Sequence, residues 1–341
     1  MRKGINTSKE QIIQASKEKH RIILPLYIPN ETDYYTSAFE VFEMCITSLS
    51  KTSSYPYLLT VIADGCCASV TKKLYDLHIA KVIDELIIEN TNIGKLNAIL
   101  KGLRSVTEPF VTIADADILF LNNWDVEVFK IFKTFKKAAV VSPIPLFRNQ
   151  LSYTANIWLD YLFSSKLKFR SVKNPVALEQ FAKSIGWSSL ENRFKDVIVT
   201  LKEDNVTTVI SATHCVATYK TSYLRDLPKM SSKYKLGGDS ERKYLDEPPY
   251  KKDGYRLSTY DNYAYHLGNT IEDWQRKAYT SLTSVTVKQD LPEIVINEPK
   301  TNVVRAFLKK IFLKLLTYRP VYNFLLLRKG LTKAQLKQFW Y

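Results

Sequence analysis

Between residues 20 and 143, short apolar runs alternate with segments of helical periodicity. This alternation constrains the fold more than any other feature of the chain. Residues 20–27 (HRIILPLY) read as a buried strand closed by Pro29, after which Phe39, Phe42, Ile46 and Leu49 recur on one helix face. Residues 57–63 (YLLTVIA) form a second strand pattern that ends abruptly at Asp64-Gly65. A helix over about 69–79, a strand over 84–89 and a helix face at Leu96, Ile99, Leu100 and Leu103 follow. A strand over 109–114, a helix over 125–135 and a strand over 138–143 complete the series. Strands separated by helices through short connections predict an α/β fold, with a mostly parallel sheet flanked by helices. Such sheets collect ligands beyond the carboxyl ends of their strands. That rule directs attention to residues 27–31, 64–66, 90–95 and 115–117.

Residues 150–235 are less regular, with a helical pattern over 177–185 and a strand-like run over 207–219 (TTVISATHCVATY). Residues 236–269 carry a Gly-Gly pair, a Pro-Pro pair and His266, and 285–300 read as a linker. The predicted organisation is an N-terminal extension (1–19), a first half (20–145), a second half (146–285), and a linker with a basic tail (286–341).

Two carboxylates one residue apart, Asp115 and Asp117 in IADADILF, close a buried strand. Residues i and i+2 of a strand end project the same way, so both can reach one hard divalent cation, which prefers oxygen ligands. Two like charges in such a place are costly without one. No phosphate loop of the G-x-x-x-x-G-K-[ST] type, no G-x-S-x-G elbow and no paired-cysteine zinc pattern occurs. The four cysteines, Cys45, Cys66, Cys67 and Cys215, show no metal spacing, and they favour a reducing compartment.

Four elements stand in order: Pro25-Leu26-Tyr27, Ala63-Asp64-Gly65, the run from Asn92 to Gly102 (NIGKLNAILKG), and Asp115-Ala116-Asp117. In order and spacing they resemble the nucleotide-sugar-binding half of GT-A glycosyltransferases, family 2 in particular. The resemblance covers roughly residues 20–145, and more loosely 205–270. It implies a Rossmann-like GT-A domain that transfers a sugar from a nucleotide-diphosphate sugar to a saccharide or lipid-linked acceptor hydroxyl. The implied setting is cell-envelope polysaccharide or glycolipid synthesis, with inversion at the sugar. It implies Mn²⁺ or Mg²⁺ held by Asp115, Asp117 and a C-terminal histidine, His266. It assigns Pro25, Tyr27, Glu31, Asp64, Gly94, Lys95 and Asp115 to the nucleotide sugar. The stretch Gly237-Gly238-Asp239-Ser240-Glu241 resembles the loop that carries the acceptor-activating base, with Asp239 favoured and Glu241 second.

The formal charge is +15, from 49 Lys+Arg against 34 Asp+Glu. Ten of the basic residues and none of the acidic ones lie in 300–341, so the body is close to balanced. Within Val303–Leu316, residues Val304, Phe307, Leu308, Ile311, Phe312 and Leu315 share a wide arc, with Arg305 and Lys309 opposite. An amphipathic helix with a cationic rim predicts contact with an anionic membrane surface on its cytoplasmic side. The other possibility for this segment is a helix packed on the domain with solvated lysines. No nucleic-acid motif accompanies the charge, so nucleic acid is not an expected partner, although a nucleic-acid-binding protein remains the minor alternative. A non-catalytic membrane adaptor with a degenerate transferase fold is the other.

Overall fold

The computed structural model describes residues 4–5, 7–12, 17–147, 151–227, 231–238, 241–296, 298–299 and 301–339. The first half contains β1 (His20–Leu26), α1 (Ala38–Thr52), β2 (Leu58–Asp64), α2 (Ala68–Ile79) and β3 (Glu85–Glu89). It continues through α3 (Lys95–Leu103), β4 (Phe110–Ala114), β5 (Ile118–Phe120), α4 (Trp124–Thr134) and β6 (Ala138–Ser142). The second half contains α5 (Ala155–Asp160), β7 (Leu167–Ser171), α6 (Pro175–Ser184), α7 (Asn192–Asp196), β8 (Val197–Glu203), β9 (Val206–Ile210) and β10 (Val216–Lys220). A π-helical turn (Arg242–Asp246), α8 (Glu247–Lys251), β11 (Tyr255–Thr259), β12 (Ala264–His266) and α9 (Asp273–Thr280) follow. Three helices close the chain: α10 (Val303–Leu316), α11 (Arg319–Arg328) and α12 (Lys333–Gln338).

Among the described residues, ten strands form one sheet in the order β3-β2-β1-β4-β10-β6-β11-β9-β8-β7. Seven run in one direction, and β7, β9 and β10 run against them. The sheet is therefore mixed; its longest parallel block is β3-β2-β1-β4, and β6 and β11 form a further parallel pair. Side-chain alternation along β1 explains why its sequence is apolar throughout. Ile22, Leu24 and Leu26 face one core with α1, α2 and α4, while Ile23 faces the other with α3. Gly102 lets α3 close on that second face, since a Cβ there would lie 3.2–3.3 Å from Ile62 and Ile23 side-chain atoms.

One sequence expectation needs correcting. Residues 207–219 are not one strand but β9 and β10, separated by 211–215. β9 pairs with β11 while β10 enters between β4 and β6, so the apolar run serves two places in the sheet. The four cysteines are unbridged. No helix among the described residues is long and apolar enough to cross a membrane.

Candidate functional site

The parallel block delivers three loops to one cavity of about 420 Å³, whose walls include Pro25, Tyr27, Asp64, Lys95, Asp115 and Asp117. Asp115 leaves β4 with its N–H donating to the Cys215 carbonyl (2.7 Å), which fixes the start of the acidic turn. Asp117 then leads into β5, which pairs antiparallel with β12 so that His266 stands opposite Ile118. That two-stranded ribbon brings a histidine from the far end of the domain beside the strand-end carboxylates. One ligand atom each from Asp115, Asp117 and His266 falls within 4.8 Å of the others. Nε2 of His266 lies 3.4 Å from Oδ2 of Asp117.

Two buried atoms of this cluster, Oδ1 of Asp117 and Nδ1 of His266, have no hydrogen-bond partner. Buried polar atoms are normally satisfied, and a carboxylate oxygen and an imidazole nitrogen left without partners in one acidic cluster are donor types that suit a divalent cation. Burial pushes the Asp117 carboxyl up to about 6; His266 opposes that shift and Asp115 adds to it. A site that resists ionisation in this way gains most from a divalent charge.

Lys95, the first residue of α3, reaches Asp115 Oδ1 at 2.6 Å and Glu241 Oε1 at 2.9 Å. Its burial would lower the ammonium pKa, but the two carboxylates outweigh this and hold it above the ordinary lysine value. Lys95 thus joins the acidic turn to the residue preceding the π-helical turn. Asp239, the other base candidate, lies outside the described residues.

Asp64 ends β2, and its two oxygens accept the Ile93 N–H (2.7 Å) and the Gly94 N–H (3.0 Å). Burial raises its pKa despite these two bonds. Each oxygen keeps a second lone pair, so Asp64 shapes the 92–94 loop and can still accept from a ligand. Gly94 has φ +93°, and a Cβ there would sit 2.7 Å from the Cα of Lys235. The close approach that Gly94 permits is therefore to the chain's own segment 231–238. Asn97 secures the same segment, accepting the Ser232 N–H (2.7 Å) and donating to the Ser232 carbonyl (3.0 Å).

Glu31 is not among the cavity walls. It pairs instead with Lys73 (2.5 Å) and accepts from the Ser69 hydroxyl (2.6 Å), contacts that hold its carboxyl below the ordinary range. Tyr27 is half-exposed at the rim and meets Tyr35 edge to face at 5.9 Å, with Tyr34 packed on Tyr35 in turn. Tyr34, Tyr35, Lys235 and Asn92 line the cavity without having been singled out from sequence. Asn92 was visible only as the first residue of the loop motif, and its Oδ1 is buried and unpartnered.

No protein-family profile matches this chain, and no curated protein matches it in sequence. Among solved structures it is similar to S. aureus TarS 1-349, at 14% identity and TM-score 0.41, over 72% of this chain and 60% of that one. It is also similar to the mannosyltransferase PcManGT from Pyrobaculum calidifontis, solved with GDP-Man and Mn²⁺, at 15% identity and TM-score 0.39. That match covers 72% of this chain and 55% of the other, so in both cases less than two thirds of the relative is spanned. TarS 1-349 has also been solved with UDP-GlcNAc.

Proposed function

We propose that this chain is a metal-dependent glycosyltransferase that moves a sugar from a nucleotide-diphosphate sugar to an acceptor hydroxyl with inversion. The observation that carries the reading is the Asp115–Asp117–His266 cluster at the edge of the strand-end cavity, with its two orphaned buried atoms. Those three residues would hold Mn²⁺ or Mg²⁺, which when bound supplies Lewis-acid stabilisation of the diphosphate leaving group. The tyrosines at the rim offer ring faces and edges to a base, and Asp64 offers acceptor lone pairs to a base N–H. Lys95 places a fixed positive charge beside Asp115, where diphosphate oxygens would lie.

In a direct displacement the acceptor oxygen forms its bond to the anomeric carbon as the bond to the diphosphate breaks. The acceptor proton passes to a carboxylate, for which Asp239 and Glu241 are the candidates. Through Lys95, Glu241 is tied to the donor side, so one ammonium links the groups that hold donor and acceptor. A saccharide or lipid-linked hydroxyl of cell-envelope polysaccharide or glycolipid synthesis is the acceptor class assigned here.

The test is a thermal-shift screen of nucleotide sugars with and without Mn²⁺, followed by transfer assays on any donor that stabilises the chain. A metal-dependent shift with at least one donor, lost in Asp115→Ala and Asp117→Ala, is the expected result. Absence of any shift would turn the reading toward a non-catalytic adaptor.

A further inference from the structure

Helix α10 turns two of its four cations, Arg305 and Lys309, to the protein and an apolar side to the outside. Arg305 pairs with Asp160 (2.7 Å) and Asp253 (3.1 Å). Lys309, only 4% exposed, donates to the Tyr250 carbonyl at 2.7 Å and lies 4.2 Å from the centre of that ring. Phe312 and Leu316 complete the inward face at i, i+4, i+7 and i+11 from Arg305. The outward face carries Val304 (67% exposed), Phe307 (62%), Leu308 (43%), Ile311 (41%) and Leu315 (52%). It is continued by Phe324 of α11 at 66% and by Phe163, at 97%, on the turn after α5. An apolar cleft of about 500 Å³ opens between that turn and the two helices.

Soluble surfaces do not keep a contiguous apolar patch of this kind without an occupant. The surrounding charge identifies it. The last acidic residue of the chain is Glu298, and Lys310, Lys314 and Arg328 are exposed around the apolar side chains. Their stems can lie along apolar surface while the charged ends reach outward. A second copy of the chain would bring the same cations to an isologous contact, with like charges opposed. A 14-residue helix is also too short to cross a bilayer, whose core is about 30 Å thick.

We infer that the outward face of α10, α11 and the turn carrying Phe163 is a docking surface for an anionic lipid bilayer. The helices lie in the headgroup region, and the inward cation clamp fixes them to the domain. This reading is independent of the transfer chemistry.

Full-length protein is co-sedimented with phosphatidylcholine vesicles, and with vesicles in which a third of the lipid is phosphatidylglycerol, at low and high salt. Binding to the anionic vesicles, weakened by salt, is expected. Phe307→Asp with Ile311→Asp should lower partitioning at least tenfold without changing the melting temperature by more than a few degrees. Lys310→Ser and Lys314→Ser should each cost about fivefold, on anionic vesicles only. Since these positions are exposed, circular dichroism separates loss of docking from loss of folding. Failure of the wild-type chain to bind anionic vesicles would overturn the inference. So would partitioning indifferent to lipid charge, or a dimer in size-exclusion chromatography that Phe307→Asp dissolves. Capture of an acidic protein partner in place of vesicles would likewise contradict it.

Discussion

Two ionic clusters of this molecule use similar residues to opposite ends. In the clamp beneath α10, Asp160 and Asp253 face Lys137, Arg305 and Lys309, and the Tyr255 hydroxyl donates to Asp160 at 2.5 Å. Burial alone would raise the Asp160 carboxyl, but the surrounding donors hold it below its ordinary value. At the strand ends Asp115, Asp117 and Glu241 face one lysine and one histidine, and buried atoms stay orphaned. There burial wins, and Asp117 is pushed up to about 6. A satisfied network locks a helix in place, while an unsatisfied, carboxylate-rich one is the arrangement a cation would stabilise.

Charge removal therefore has different consequences in the two places. If the cluster holds the leaving-group cation as proposed, Asp115→Asn or Asp117→Asn should lower kcat at least a thousandfold. The Asp117→Asn melting temperature should stay within a few degrees of wild type, since the substitution relieves carboxylate crowding, whereas Asp115→Asn also strips the buried Lys95 of its nearer counter-charge and should melt lower. In the clamp the pattern reverses. Asp253→Ala leaves Arg305 and the buried Lys309 short of counter-charge and should cost about 3 kcal/mol in urea unfolding, with transfer to a soluble acceptor unaffected. A clamp variant as stable as wild type would remove the distinction between the clusters.

A third contrast lies within the sheet. His20 is fully buried, with Nε2 2.7 Å from the Thr112 hydroxyl, and burial lowers its pKa to about 3. The unfolded chain binds a proton near pH 6.5 while the folded chain does not, so stability is complete above that value and falls as the solution is acidified. By linkage His20 accounts for about 2 kcal/mol lost between pH 7.5 and 5. His20→Gln should flatten that part of the pH profile in urea titrations, and an unchanged slope would reassign the acid sensitivity. The smallest effect belongs to the segment over the cavity. Asn97→Ala breaks its bonds to Ser232 and should raise the donor KM about fivefold at unchanged kcat. If KM did not move, segment 231–238 would have no part in shaping the donor site.

The parallel block was legible from sequence because β1, β2 and β4 are buried on both faces and the helices around them show clean 3.6-residue periodicity. Every element from β1 to β6 except β5 lies within one or two residues of the pattern, and α1 ends at Thr52, inside the Ser/Thr-rich stretch around 48–54. β5 and β12 have three residues each, too few for any period, so the ribbon that delivers His266 could not be read. The split of 207–219 depends on which strands lie on either side, which no local pattern encodes. Of the site, Asp115, Asp117 and Lys95 follow from their positions at strand and helix ends. The Lys95–Glu241 bridge and the tie from Asn97 to Ser232 are contacts between distant segments, with no trace in local composition. In the tail the helix over Val303–Leu316 was legible, and Lys310 and Lys314 are exposed, but Phe312, read onto the outer arc, turns inward with Lys309. Lys309 is neither solvated nor at a membrane rim; it is buried against Tyr250.

Calorimetric titration of Mn²⁺ into the protein in the presence of a nucleoside diphosphate tests the central claim most directly. The unsatisfied Asp115–Asp117–His266 cluster predicts one saturable site per chain, with binding weakened at least a hundredfold in Asp117→Asn and left intact in Asp253→Ala. Equal Mn²⁺ binding by wild type and Asp117→Asn would contradict it.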